Sequence, residues 1–195
     1  CKINRLSIGI QSFNDKELKI MNRVHNSSHS KKCIEHSKKY FNNISIDLMY
    51  GMPESNLTTW ENNLDIAISY DVNHISAYAL TVEPKTALES YVKKGLINLL
   101  DEELVFKQYK LLSKKLSDCN YINYELSSFC KEGYYSKNNS AYWLRKKYLG
   151  IGPSAHSFNG SSRSWNISNN NLYVKALSNN EVYFESEKLT KTDLY

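Results

Sequence analysis

A regular alternation of predicted strands and helices through about the first 120 residues constrains this chain more than any other feature. Runs in which apolar and polar residues alternate predict strands over 5–11, 44–50 and 74–81, because successive side chains on a strand point to opposite faces. Helical spacing of apolar residues predicts helices over 15–22 and 30–41. Strands that recur at roughly 30 residues, with helices between them, are typical of βαβ units. The sequence therefore predicts an α/β fold with parallel strands.

Further helices are expected after the second and third strands. Thr58 and Glu61 match a capping box, in which each side chain satisfies a backbone group at the start of a helix. An apolar stripe at helical spacing follows this pair. Two more helices are predicted over 87–94 and 101–118, the second of them long and amphipathic.

One face of each predicted strand points away from the helices, and on this chain that face is small and polar. A barrel that had only to be stable would carry bulky branched residues there. Gln11 and Asp47, if buried without partners, would each cost roughly 1 to 3 kcal/mol, so we expect a ligand or ordered water to satisfy them. Both lie at or near the C-terminal ends of strands, where parallel α/β folds bind ligands. The residues assigned to this face are Ser7, Gly9 and Gln11, then Ser45, Asp47 and Met49, then Ala77, Ala79 and Thr81.

The chain after Asn120 consists of short aromatic segments rich in Asn and Ser. They predict an antiparallel or irregular extension packed on the edge of the sheet, with a short helix near 172–177. The net charge of +5 comes largely from lysines scattered in pairs, which are typical of solvated helix faces and not of a nucleic-acid groove. No apolar run is long enough to cross a bilayer, so no integral membrane segment is expected.

Four cysteines stand at positions 1, 33, 119 and 130. No two of them have the close spacing of a zinc ribbon, a redox pair or an iron–sulfur loop. We expect reduced, buried thiols in a cytoplasmic protein. The chain begins with Cys and not with Met, and we expect a fragment cut at both ends.

Three phrases are specific enough to indicate a family: RLSIGIQSF at 5–13, IDLMYGMP at 46–53 and YLGIGPSAH at 148–156. Together with LTVEP at 80–84 and NSAYW at 139–143 they resemble the radical-SAM heme chaperones, which are related to oxygen-independent coproporphyrinogen III oxidase. The resemblance runs along nearly the whole chain.

This resemblance implies a partial radical-SAM (β/α) barrel with parallel strands over residues 1–119, and a family-specific α+β extension over 120–195 that is truncated at its C-terminus. It also implies a cytoplasmic protein that uses S-adenosylmethionine and a 4Fe-4S cluster, and that carries heme to an acceptor protein. The acceptor, the oligomeric state and whether S-adenosylmethionine is cleaved stay open.

The resemblance further implies which residues bind S-adenosylmethionine. The matching positions are Gln11, Arg23, Asp47 and Ala79. Arg23 can fork onto a carboxylate, Asp47 can accept from hydroxyls or an ammonium group, Gln11 can do both, and Ala79 would leave room for adenine. The family holds its cluster with three cysteines in a CxxxCxxC loop, which this chain lacks. We therefore expect that loop upstream of residue 1 and assign no metal ligand within this fragment.

Heme is a separate question, since the family motif proposed to bind it is His-Asn-x-x-Tyr-Trp. This chain has Asn138 at the His position, which removes the obvious iron ligand and leaves Tyr142 and Trp143. His156 and His25 are the next candidates, because histidine and tyrosine are known axial ligands of heme iron. Aromatic residues such as Trp143 can also stack on a porphyrin.

Two other activities stay open beside a heme chaperone. One is the oxidative decarboxylation of coproporphyrinogen III, which the same fold would allow. The other is tRNA modification by a radical enzyme, which predicts a contiguous basic face that the scattered lysines do not favour. We assign no catalytic residue, and the question of whether the protein is an enzyme is left open.

Overall fold

Three strands pair in parallel at the predicted places: β1 (Leu6–Gln11), β2 (Ile44–Tyr50) and β3 (His74–Ala79). They belong to a computed structural model, which describes residues 3–190 and 192–194. Residues up to Tyr135 form one compact unit, and residues from Ser136 onward form a second. The predicted α/β class is confirmed for the first unit. Cys1 lies outside the described residues.

Five helices accompany these strands: α1 (Asp15–Ile20), α2 (Ser27–Lys38), α3 (Leu57–Ser69), α4 (Ala87–Lys93) and α5 (Glu102–Asp118). All five predicted helices are present, with boundaries that differ by a few residues.

The starts of two helices were predicted wrongly, for one physical reason. α3 is capped by Asn56, whose Oδ1 accepts a hydrogen bond from the backbone N–H of Thr59 at 2.9 Å, and not by the predicted box of Thr58 and Glu61. α2 begins before the predicted residue 30, because Asn26 accepts in the same way from the N–H of His29. Asparagine is among the strongest N-cap residues, since its short side chain reaches the free N–H groups of the first turn.

The core of the first unit lies between the sheet and the helices. Branched side chains on one face of the strands meet the apolar stripes of α3 and α5, and each fully buried side chain of this kind contributes roughly 1.5 to 3 kcal/mol. The central members of this core are Ile46, Leu48, Ile75, Trp60, Leu64, Leu112 and Leu116.

The opposite face of the sheet was assigned correctly on β1 and β2 but was wrong by one residue on β3. Asp47 pairs with Ser76 and Leu48 pairs with Ala77, so Ala77 faces the core. The residues of β3 that share a face with Asp47 are His74, Ser76 and Tyr78. Ala77 and Ala79 therefore lie on the other face, and Thr81 lies beyond the strand.

Two short strands extend the same sheet beyond β3: β4 (Ile122–Asn123) and β5 (Ser128–Cys130). β5 pairs antiparallel with β3, and the sheet order is β1-β2-β3-β5-β4. An antiparallel addition at the sheet edge is thus confirmed. The predicted division at residue 119/120 between a barrel segment and an extension stays a prediction, since β4 and β5 belong to the first compact unit.

The second unit contains a small antiparallel sheet and two helices. In chain order its elements are α6 (Lys137–Trp143), β6 (His156–Phe158), β7 (Ser162–Asn166), α7 (Asn170–Ser178) and β8 (Phe184–Lys188). The strands pair in the order β6-β7-β8. α7 includes the short helix predicted near 172–177.

Cys33 and Cys119 are exposed, so the prediction of buried thiols is wrong for both and holds only for Cys130. The buried residues of α2 are Ser30, Ile34 and Ser37, and Cys33 lies outside this set. All three are free thiols. Among the described residues, no helix is long and apolar enough to span a membrane.

Candidate functional site

The end of β1 has an unusual backbone that aims Gln11. The strand register shifts between Gly9 and Gln11, and Gln11 has a left-handed φ of 66°. A residue with a side chain is rarely found in this conformation, which costs of order 1 to 3 kcal/mol and persists where surrounding structure enforces it.

A buried hydrogen-bonded cluster directly after Gln11 supplies that enforcement. Ser12 Oγ donates to Glu17 Oε2 at 2.5 Å, and Asn63 Nδ2 donates to the same oxygen at 3.0 Å. The backbone N–H of Phe13 donates to Asn63 Oδ1 at 2.8 Å. Ser12, Glu17 and Asn63 are all buried. The cluster ties the turn after β1 to α1 and α3, and sequence reasoning did not find it.

Gln11 and Arg23 converge over Gly9. A Cβ atom built on Gly9 would lie 3.0 Å from Gln11 Nε2 and 3.2 Å from Arg23 Nη2. Arg23 Nη2 lies 3.5 Å from the carbonyl oxygen of Gly9, which is a long hydrogen bond. Two of the predicted site residues are therefore brought together, and the missing side chain of Gly9 leaves them room. Most of the donors of both groups stay open to a ligand.

Gln11 and Arg23 line a cavity of about 630 Å³ at the C-terminal ends of the parallel strands. Two cations, Lys19 and Arg23, lie in its wall. The loop after β2 is held at this end by Gln108 of α5, whose Oε1 accepts from the N–H of Gly51 at 2.7 Å. The other lining residues are mostly apolar: Ile20, Met21, Asn22, Met49, Met52, Leu80, Thr86, Ala87, Leu88 and Tyr91.

Asp47 lies beside this convergence point but does not line the cavity. It is the register partner of Gly9 on β2, and Ser7 Oγ donates to its Oδ1 at 3.3 Å. Burial raises the pKa of the Asp47 carboxyl, while the hydrogen bond from Ser7 and the charge of Arg5 act in the opposite direction. An ionised Asp47 is therefore incompletely compensated within the chain, and a hydroxyl or ammonium donor would stabilise it.

Ala79, the fourth predicted residue for S-adenosylmethionine, is placed differently. It pairs with Tyr50 on β2, is exposed, and does not line the cavity. Its role at the site stays a prediction with no geometric support.

His74 is a buried polar residue that sequence reasoning set aside. Ser45 Oγ lies 2.8 Å from its Nδ1 and Tyr124 Oη lies 2.8 Å from its Nε2, so both ring nitrogens have partners. Burial and the nearby charge of Arg5 lower the pKa of His74 to about 4. The imidazole is consequently neutral at pH 7. Ser45 and His74 lie on the same face of the sheet as Asp47.

Within the second unit, two of the residues predicted to bind heme line different cavities. Tyr142 lines a cavity of about 410 Å³ in the second unit, with its ring 4.8 Å from that of Tyr148. His156 lines another cavity of about 320 Å³, beside Trp165. Trp143 is 66% exposed. His25, in the first unit, already has its Nε2 at 3.1 Å from the carbonyl oxygen of Ile10.

The described residues contain no cluster of His, Cys, Asp or Glu side chains that could hold a metal ion. The exposed Cys33 and Cys119 and the buried Cys130 are therefore not a ligand set for an iron–sulfur cluster.

The sequence matches known proteins along most of its length. Residues 1–67 match the radical SAM superfamily. The chain is 35% identical over 177 residues to the heme chaperone HemW of Bacillus subtilis. The aligned region covers 90% of this chain and 47% of that protein. It is 42% identical over 154 residues to the heme chaperone HemW of Buchnera aphidicola from Acyrthosiphon pisum, covering 79% of this chain and 40% of the relative. The chain thus spans about half the length of the curated relatives that it matches.

The fold matches a solved structure as well. Coproporphyrinogen III oxidase (HemN) from Escherichia coli, a radical SAM enzyme, superposes with a TM-score of 0.80 over 98% of this chain and 47% of its own. The sequences are 18% identical, so this match speaks for the fold alone.

Proposed function

Because the chain belongs to the radical SAM superfamily, we propose that it is part of a heme chaperone, which binds heme and transfers it to an acceptor protein in the cytoplasm. The observation that carries this proposal is the 35% identity to a heme chaperone over 90% of the chain. The identity to coproporphyrinogen III oxidase is only 18%, over a similar share of the chain.

We propose that Gln11, Arg23 and Asp47 bind S-adenosylmethionine. The cavity beside Gln11 and Arg23, the open donors over Gly9 and the undercompensated carboxyl of Asp47 fit the polar groups of this ligand. Arg23 would hold the carboxylate, while Asp47 would accept from hydroxyls or the ammonium group. The role predicted for Ala79, next to the adenine, rests on the family resemblance alone. When bound, S-adenosylmethionine would serve either as the source of a radical or as a regulatory ligand.

The described residues do not supply the ligands that a 4Fe-4S cluster requires. We propose that the full-length protein carries this cluster, as the match to the radical SAM superfamily implies. Residues of this chain bind and orient S-adenosylmethionine. The buried hydrogen bonds among Ser12, Glu17 and Asn63 keep the position of Gln11 fixed.

The test of the chaperone function is heme binding by the full-length protein, reconstituted with its cluster and titrated with heme while the absorbance spectrum is followed. A saturable shift of the Soret band is expected. A spectrum equal to that of free heme throughout the titration would contradict the proposal.

Oxidative decarboxylation of coproporphyrinogen III is the second candidate, because a shared fold leaves this activity open. The full-length protein would be incubated with coproporphyrinogen III, S-adenosylmethionine and a reductant. Formation of protoporphyrinogen would make the enzyme the better interpretation. Under the proposed function we expect none.

A further inference from the structure

The cavity of about 630 Å³ has an unusual charge composition. Lys19 and Arg23 line it, and none of its described lining residues carries a carboxylate. Within residues 3–190 and 192–194, neither cation takes part in an ion pair. An unbalanced pair of positive charges at a cavity favours a ligand with two negative charges.

The rest of the wall is apolar and adaptable. Met21, Met49 and Met52 line the cavity, and they are the three methionines of the chain. Methionine is flexible and polarizable, so it packs well against flat ligands and is common at binding surfaces that must adapt. A wall of this kind suits a large planar ligand.

Helix α4 forms one side of the cavity, and its apolar side chains are only partly buried. Leu88 and Tyr91 of α4 line the cavity, and α4 has no buried residue. Tyr91 is 46% exposed. Apolar side chains that face an open cavity are stabilised when a ligand covers them.

We propose that this cavity binds the heme itself, an inference that rests on the proposed chaperone function. Heme is a broad apolar ring with two carboxylates, which match the apolar wall and the two cations Lys19 and Arg23. The cavity volume lies within the range that encloses one ligand of this general class. The residues first predicted to bind heme in the second unit are then not its main site.

A shared cavity has a consequence for the second ligand. Gln11 and Arg23 are proposed to bind S-adenosylmethionine, and both line the cavity now assigned to heme. Heme and S-adenosylmethionine should therefore compete, and each must weaken the other by the same factor, because linkage between two binding equilibria is reciprocal. Binding of S-adenosylmethionine would then promote the release of heme.

The test uses the full-length protein with its cluster, titrated with heme. Lys19→Met should weaken heme binding by at least about tenfold, equivalent to about 1.4 kcal/mol. Leu88→Glu, which adds an anion to the wall of the cavity on a helix with no buried residue, should do the same without unfolding the protein. Lys16→Met is the matched control, since Lys16 is an exposed cation of α1 that does not line this cavity. It should leave heme affinity unchanged.

Competition is measured by repeating the wild-type titration with saturating S-adenosylmethionine, which should raise the apparent Kd for heme. Wild-type affinity in both variants, or no effect of S-adenosylmethionine, overturns the inference while the chaperone function stands. Loss of heme binding in Tyr142→Ala together with full binding in Lys19→Met would put the heme in the second unit. A wild-type protein that binds no heme would remove the proposed function and this inference together.

Discussion

The two units differ in the kind of polar side chain that they bury, since among the described residues the second unit buries Ser136 and Asn166 but no titratable group. The first unit buries Glu17, Asn63 and His74 in networks in which hydrogen bonds join the strands to neighbouring elements. The second unit keeps its ion pair of Arg163 and Glu187 partly exposed, on the surface of a small sheet. Buried polar groups persist only when their hydrogen bonds are satisfied, so the first unit holds side chains at fixed positions. One such network ties down the turn that follows Gln11, whereas Tyr142 and His156 of the second unit line separate cavities.

The largest expected effect concerns the pH dependence of stability through His74. Its pKa is about 4 in the folded protein and 6.5 in the unfolded chain, so the unfolded state binds more protons between these values. The free energy of unfolding should fall by up to about 3 kcal/mol as the pH drops from 7 to 4. His74→Gln, which cannot titrate, should remove this part of the dependence. Denaturant unfolding at several pH values measures the free energy of unfolding. If it falls equally with pH in the wild type and the variant, the prediction is contradicted.

Asn63→Ala should have the next largest effect, because it leaves the N–H of Phe13 without its partner and removes one of the two buried hydrogen bonds to Glu17 Oε2. We expect the free energy of unfolding to fall by about 2 kcal/mol. Asn62→Ala is the control, since Asn62 is the exposed neighbour on the same helix. If both substitutions cost the same, the buried cluster has no special role.

The double substitution Gln11→Ala and Asp47→Ala, made in the full-length protein, tests the site itself. It should weaken S-adenosylmethionine binding by at least about tenfold, or roughly 1.4 kcal/mol, because it removes hydrogen-bonding groups that face or flank the cavity. Isothermal titration measures the affinity. Binding as tight as in the wild type would show that the ligand lies elsewhere.

The smallest effect is expected in the second unit. Glu187→Gln removes the charge that pairs with Arg163, whose Nε lies 2.8 Å from Glu187 Oε1. Exposed pairs contribute little to stability, and added salt screens them further. Unfolding at low and high salt gives the comparison. A loss of several kcal/mol would mean that the two units do not differ in the way described.

The parallel strands and the position of the site were predictable from sequence. Alternating residues fixed the faces of β1 and β2, and parallel topology brings the ends of neighbouring strands to one edge. The pairing of Gln11 with Arg23 at one cavity followed from family resemblance and agrees with the geometry.

The face of β3 was not predictable, because the residues from His74 to Ala77 are all buried. A strand covered on both faces loses the alternation that marks its register. The neutral histidine between Ser45 and Tyr124 was missed for the same reason. Likewise, Lys19 and Met21 reach the cavity through the packing of α1 on the sheet, which a linear pattern does not encode.

The methionines offer an experimental handle on the cavity. Since Met21, Met49 and Met52 are the three methionines of this chain and all line this cavity, isotope labelling of methionine methyl groups would place every reporter of this segment around it. Their NMR signals would then register the arrival of either ligand directly, with no background from the rest of the segment.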